Sequence, residues 1–143
     1  MTGLFSESVI ESGIHRRCAA SAELAVLLDT DRIFTGTPIH RSPPYICVQR
    51  KNARPLFVTN LGTSAEEAYL VLEVRHSCYE TTSQIVSVIR DLFDAAVWET
   101  GENTGLILRS EIAENDTIQR DDATWEWGMT MRVRLLRTAD FTQ

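Results

Sequence analysis

The chain has 143 residues, 43% of them apolar and 24% charged, with a formal net charge of −6. That is the composition of one soluble globular domain, and its acidic balance argues against a nucleic-acid or anionic-membrane binder. No apolar run approaches the roughly 20 residues that cross a bilayer, and the start, MTGLFSESVIESG, lacks the basic and apolar regions of a secretory signal, so synthesis and retention in a cytoplasm are expected.

The first element is expected over Ser6 to Leu28. Val9, Ile10, Ile14 and Cys18 recur near helical spacing, and CAASAELAVLL adds good helix formers. Gly13 marks a candidate break, so one long helix and two short ones both remain open. Asp29, Thr30 and Asp31 favour a turn. Ile33 and Phe34 can start a short strand. Gly36 and Pro38 then bar helix, and SPPY forces an extended lead-in, because a residue before proline leaves the helical region. The strand YICVQR follows. Both of its faces are expected to be buried at the start, with Tyr45 and Cys47 on one and Ile46 and Val48 on the other.

The least regular stretch is KNARPLFVTNLGTSAEEAY. Leu56 to Val58 reads as a brief edge strand, since Pro55 is tolerated at a strand start. Asn60 to Ser64 reads as a turn, so a projecting hairpin or arm is expected. Next, AYLVLEVRHSCY alternates as a half-buried strand: Tyr69, Val71, Glu73 and Arg75 share one face, and Leu70, Leu72, Val74 and His76 the other. A helix follows. Thr81, three residues before Gln84, offers a capping box. Ile85, Val86, Ile89, Leu92, Phe93, Ala96 and Val97 form one stripe. ETGENTG ends it.

GLILRSEIA predicts a strand, and ENDTIQRDDAT a polar, acidic connection. The last strand, WEWGMTMRVRL, alternates strictly. Trp125, Trp127, Met129, Met131, Val133 and Leu135 face a core, opposite Glu126, Gly128, Thr130, Arg132 and Arg134. The whole predicts an α+β domain, a mainly antiparallel sheet with an N-terminal helix and a second helix packed on one face. One domain is expected over residues 1–143, with 1–31 helical and 32–137 carrying the sheet and second helix. The opposite sheet face is expected to show Glu73, Arg75, Arg109, Glu111, Arg132 and Arg134.

No strong catalytic constellation stands in the sequence. There is no Gly-rich phosphate loop and no nucleophile elbow. His76 and Cys78 lie two apart but have no orienting third group. His15 and His40 have no nearby ligand partners. The three cysteines, Cys18, Cys47 and Cys78, are odd in number and widely spaced with no CxxC, so reduced thiols are expected rather than disulfides or zinc. Glu111, Glu114, Asp116, Asp121 and Asp122 lack the ligand spacing of a calcium loop and read as solvated. Trp125 and Trp127 read as core or subunit interface rather than a stacking platform. Arg132 and Arg134, with acidic neighbours, read as salt-bridged more readily than phosphate-binding.

The layout resembles the small tail-completion proteins of long-tailed phages and prophages. The residues that carry the resemblance are Arg32, Ile33, Phe34 and Pro38 in RIFTGTP, Pro44 and Tyr45 opening PPYICV, Tyr79 at the turn into the second helix, and Trp125 after the acidic loop. It covers Arg32 to Leu136, and KNARPLFVTNLG is where such proteins vary. It implies a subunit of a ring, usually sixfold, that caps the tail tube or joins it to the head. The implied partners are further copies of the chain, tail-tube and head-connector proteins, and DNA passing through a lumen. It implies no enzyme, no cofactor and no membrane, and a place in the virion tail after assembly in the host cytoplasm. In such a ring the proline loop (Thr35 to Pro44) and the arm (Lys51 to Gly62) are expected at subunit contacts, with Pro38, Pro44, Tyr45, Phe57, Arg132 and Arg134 as interface residues. The opposite sheet face, charged but mixed in sign, is then a candidate to look into the lumen or onto the tail tube, where a mildly acidic lining would suit DNA passage. The alternative is a small α+β module that binds a ligand or protein without catalysis.

Overall fold

The computed structural model describes residues 7–36, 42–60, 62–99, 105–120 and 123–137. The elements run α1 (Glu7–Ala19), α2 (Ala22–Leu27), a 3-10 turn (Thr30–Arg32), β1 (Ile33–Thr35), β2 (Tyr45–Val58), β3 (Ser64–His76), α3 (Tyr79–Phe93), β4 (Ala96–Glu99), β5 (Gly105–Gln119) and β6 (Trp125–Arg137). The strands form one six-stranded sheet in the order β1-β2-β3-β6-β5-β4. Only β1 and β2 are parallel; the other neighbours are antiparallel. The α+β expectation holds, with the helices gathered on one sheet face.

The N-terminal region is two helices, and the break is not at Gly13, which lies inside α1. It falls at Ser21, whose Oγ accepts from the Leu24 amide and starts α2 as an N-cap. Helix α3 starts at Tyr79, ahead of the expected Thr81 box. Thr82 Oγ1 donates back to the Cys78 carbonyl at 2.7 Å. The helix also stops earlier than its apolar stripe. Asp94 is extended and Ala95 has φ +52°, so Ala96 and Val97 enter β4 and Val97 is 66% exposed. An apolar run on a helical period does not reveal where its chain turns.

Two strands are longer than their patterns suggest. β2 continues through Pro55, and β5 continues through the polar run Glu114 to Gln119. Both continuations are sheet edges. β1 covers β2 only over Ile46 to Val48, and β4 covers β5 only over Leu106 to Ser110. An edge strand needs no apolar alternation and tolerates proline, which hides it from a periodicity reading.

The core lies between the helices and one sheet face. Ile85, Val86, Ile89 and Phe93 of α3 meet Leu70, Leu72, Met129, Met131 and Ile107, while Ile10 and Ile14 of α1 and Leu24 of α2 close its side. Each fully buried side chain of this size contributes roughly 1.5–3 kcal/mol of burial free energy. Polar groups pin the helices to this core. Arg17 of α1 donates to the Leu92 carbonyl at 2.7 Å and lies 5.8 Å from the Phe93 ring centroid, a cation at the C-terminal end of α3. Arg50 of β2 pairs with Glu11 of α1 at 3.1 Å and with Glu66 of β3 at 3.8 Å, all three side chains at least nine-tenths buried.

Candidate assembly interface

The face away from the helices is the open one, built by strand alternation. β3 places Glu67, Tyr69, Val71, Glu73 and Arg75 there; β6 places Glu126, Thr130, Arg132 and Arg134 opposite them. β2 adds Tyr45, Cys47 and Arg54, and β5 adds Arg109, Glu111 and Ala113. Its described strand positions thus hold five arginines against four glutamates. The face is close to charge balance, the mixture of signs expected of it.

Those charges are organised around carboxylates. Glu67 is 2% exposed although it sits on the open face. Its Oε1 accepts from Arg54 and from the Tyr69 hydroxyl, each at 3.0 Å, and its Oε2 accepts from Arg134 Nε at 3.0 Å. These donors, Arg134 foremost, hold its carboxyl below the usual range. Glu111 accepts from Arg132 and lies 3.4 Å from Arg109, and Arg132 before Arg109 lowers its pKa in the same way. Arg132 and Arg134 are therefore salt-bridged, as the sequence reading favoured.

The remaining interface residues separate into two kinds. Pro38 lies outside the described residues, as do 37–41 of the proline loop. Pro44 is exposed, and its carbonyl accepts from Arg32 Nε at 3.0 Å; Arg32 also donates to the Ser42 carbonyl and lies 5.7 Å from the Phe34 ring. Phe34 meets Tyr45 edge-on at 6.2 Å between centroids. Tyr45 itself is only 7% exposed, and its hydroxyl accepts from Arg75 at 3.2 Å. So Arg32, Phe34, Pro44 and Tyr45, separated in sequence, close one clasp that fixes the start of β2. Gly36, at φ +80°, turns away from β1 while its amide bonds the Val48 carbonyl at 2.7 Å.

Phe57 is the other kind. It stands near the end of the β2–β3 hairpin at 48% exposure, between Leu56 and Val58, which are 43% and 66% exposed. The expected projecting arm is not what forms: β3 at this level is still paired with β6, Ala65 with Leu136 and Ser64 with Arg137, so Leu56 to Val58 make an apolar stretch on the edge of the main sheet. At the opposite end of the sheet Tyr79 meets Trp125 edge-on at 4.9 Å and stacks on Trp127 at 5.9 Å. Both tryptophans lie on the helix side of β6, so this cluster joins α3 to the sheet.

The catalytic candidates do not form a machine. His76 Nδ1 accepts from the Cys78 amide at 3.0 Å rather than engaging its thiol. Burial lowers the His76 pKa. Thr81 lowers that of exposed Cys78. Burial pushes the thiols of Cys18 up to about 12 and Cys47 up to about 11. Among the described residues, no group of three His, Cys, Asp or Glu side chains is placed to hold a metal ion, and no helix is long and apolar enough to cross a membrane. Glu67, Arg54 and Tyr69 were missed by sequence reasoning. Their one signal was the position of Glu67 and Tyr69 on the polar side of an alternating strand.

A family model described as "Tail completion protein gp17" matches residues 12–136. No curated protein matches the chain. Among solved structures, a chain of "Virion of native gene transfer agent (GTA) particle" superposes with a TM-score of 0.67 at 12% sequence identity, covering 92% of this chain and 99% of that one. At that identity the likeness is one of fold.

Proposed function

We propose that this chain, which belongs to the tail completion protein family, is the repeating subunit of a ring that terminates a phage or prophage tail tube or joins it to the head. The family match supports a structural role in a phage tail. The ring is the finer reading, and the observation that supports it is the exposed apolar end of the β2 edge. Leu56, Phe57 and Val58 are exposed together on a long hairpin, an arrangement that costs solubility in a monomer and is resolved by docking on another molecule. In this reading Phe57 and Pro44 touch a neighbour directly. Tyr45 acts from within, by fixing β2 against Arg75 and Phe34. Arg132 and Arg134 hold the open face, which looks onto the tail tube or a DNA-carrying lumen. Its balance of charge lets DNA pass without strong attachment, since net positive charge drives non-specific binding.

Light scattering over a wide concentration range, with electron microscopy of the concentrated protein, tests this. Closed rings, alone or on purified tail tubes, are the expected result. A chain that stays monomeric at every concentration and ignores tail tubes overturns it and favours a small binding module.

A further inference from the structure

The two edges of the sheet are each half covered, and the uncovered halves match. On one edge, β1 leaves 51–58 of β2 without a strand neighbour among the described residues; on the other, β4 leaves 111–119 of β5 without one, the Ile112 amide there donating to Asp94 Oδ1 at 2.9 Å. The first segment, KNARPLFV, has two basic and no acidic residues. The second, EIAENDTIQ, has three acidic and no basic residues. The free halves lie at opposite ends of the strands: the row through Phe57 crosses Ala65 and Leu136 and reaches β5 at Leu106, well before residue 111.

We propose that residues 51–58 of one subunit pair antiparallel with residues 111–119 of the next, so that the ring is closed by a sheet continuous across every subunit boundary. The proposal rests on the ring reading above and supplies its joint. β2 and β5 run in opposite directions, so rotation about a common axis brings them together antiparallel. Full overlap of the segments sets Phe57 opposite Ala113 and Val58 opposite Ile112. The faces then agree. Phe57 and Ala113 both belong to the open face, through their partners Ala65 and Thr130, while Val58 and Ile112 belong to the helix face. Such agreement is required of residues opposite each other in one sheet.

The same register gives the Phe57 ring a seat. A hollow on the open face beside β5 is lined by Tyr69, Glu111, Ile112, Ala113, Thr130 and Arg132. An exposed aromatic side chain entering a neighbour's hollow is the usual anchor of a protein interface.

The offset between the free halves is also one that a closed sheet accommodates. It amounts to about six paired positions, ~20 Å at ~3.4 Å per residue, over four strands ~4.8 Å apart. That corresponds to strands inclined by ~45°, the upper end of the tilt found in closed sheets. Charge selects this joint over a twofold dimer. Each basic edge placed against its own copy repels, whereas basic against acidic attracts and repeats head to tail.

Paired cysteines test the joint. Asn52→Cys and Ile118→Cys, exposed positions that this register sets opposite each other on the open face and clear of the Phe57 seat, are made separately and together in a Cys78→Ser background, which leaves Cys18 and Cys47 buried. The proteins are oxidised at concentrations where light scattering detects assembly, with tail tubes added if needed. Disulfide-linked dimers are expected when the two single variants are mixed and not from either alone; the double variant is expected to give a ladder that stops at the ring's subunit number. Rings without these cross-links overturn the edge pairing and leave the ring reading intact. Cross-linking of Asn52→Cys with itself overturns the head-to-tail joint in favour of a twofold contact. A chain monomeric under all conditions, with no cross-link, overturns both readings together.

Discussion

Arg134 Nε donates to Glu67 Oε2 at 3.0 Å directly across β3 and β6, and Glu67 is buried although it lies on the solvent side of the sheet. Arg54 from β2 and Tyr69 complete its shell. One carboxylate therefore ties together three neighbouring strands.

Glu67 makes stability depend on acid. Its pKa is lowered in the folded chain, so its contribution is present above the ordinary carboxylate value and is lost as pH falls through the lower folded value. Glu67→Gln is expected to flatten the stability profile below about pH 4.5, the ordinary value for this group, while lowering stability at neutral pH by ~1–3 kcal/mol. Urea titrations across pH check both limbs; an unchanged acid limb would mean that other carboxylates dominate it.

The buried cluster of Arg50, Glu11 and Glu66 makes a second prediction. Arg50→Met leaves two buried carboxylates facing each other without their cation. The expected loss is ~3–5 kcal/mol, the cost of breaking a buried ion pair from one side. The triple replacement by apolar residues should recover much of it. Chemical denaturation of the single and triple variants measures the difference.

Tyr45 and Phe57 should fail in opposite ways. Tyr45→Ala empties a buried site and removes a partner of Arg75, so thermal stability is expected to fall by the equivalent of ~2–4 kcal/mol. Phe57→Ala at an exposed site should change stability by less than ~0.5 kcal/mol yet weaken assembly at least tenfold. Melting curves beside light scattering separate the two. If neither variant disturbs assembly, the contact assignment is wrong.

The thiols should react unequally. At pH 8 iodoacetamide is expected to modify Cys78, exposed and lowered by Thr81, while Cys18 and Cys47 stay protonated and buried. Mass spectrometry of the native protein should find one adduct per chain, and three after denaturation. Replacing His76 and Cys78 together is expected to leave assembly unchanged.

Sequence alone determined the elements whose signal is local. The alternation of Tyr69 to His76 and of Trp125 to Leu135 names both central strands and their faces, because a strand buried on one side must alternate. The stripe from Ile85 to Phe93 names the helix that covers them. The prolines around Tyr45 announce an extended lead-in, since proline restricts its own backbone and that of its predecessor. The edge strand at Leu56 to Val58 was also legible, while the projecting arm expected around it did not form, because β6 pairs with β3 from β3's first residue. Tertiary structure alone decided the rest. Gln119 lies in a strand because β6 offers a free ladder beside it, not because its own sequence prefers one. Glu67 is buried because Arg54 and Arg134, thirteen and sixty-seven residues away, converge on it. The matching free edges exist because β1 and β4 stop where they do. Those outcomes depend on which strands become neighbours, and periodicity within a segment carries no record of its neighbours.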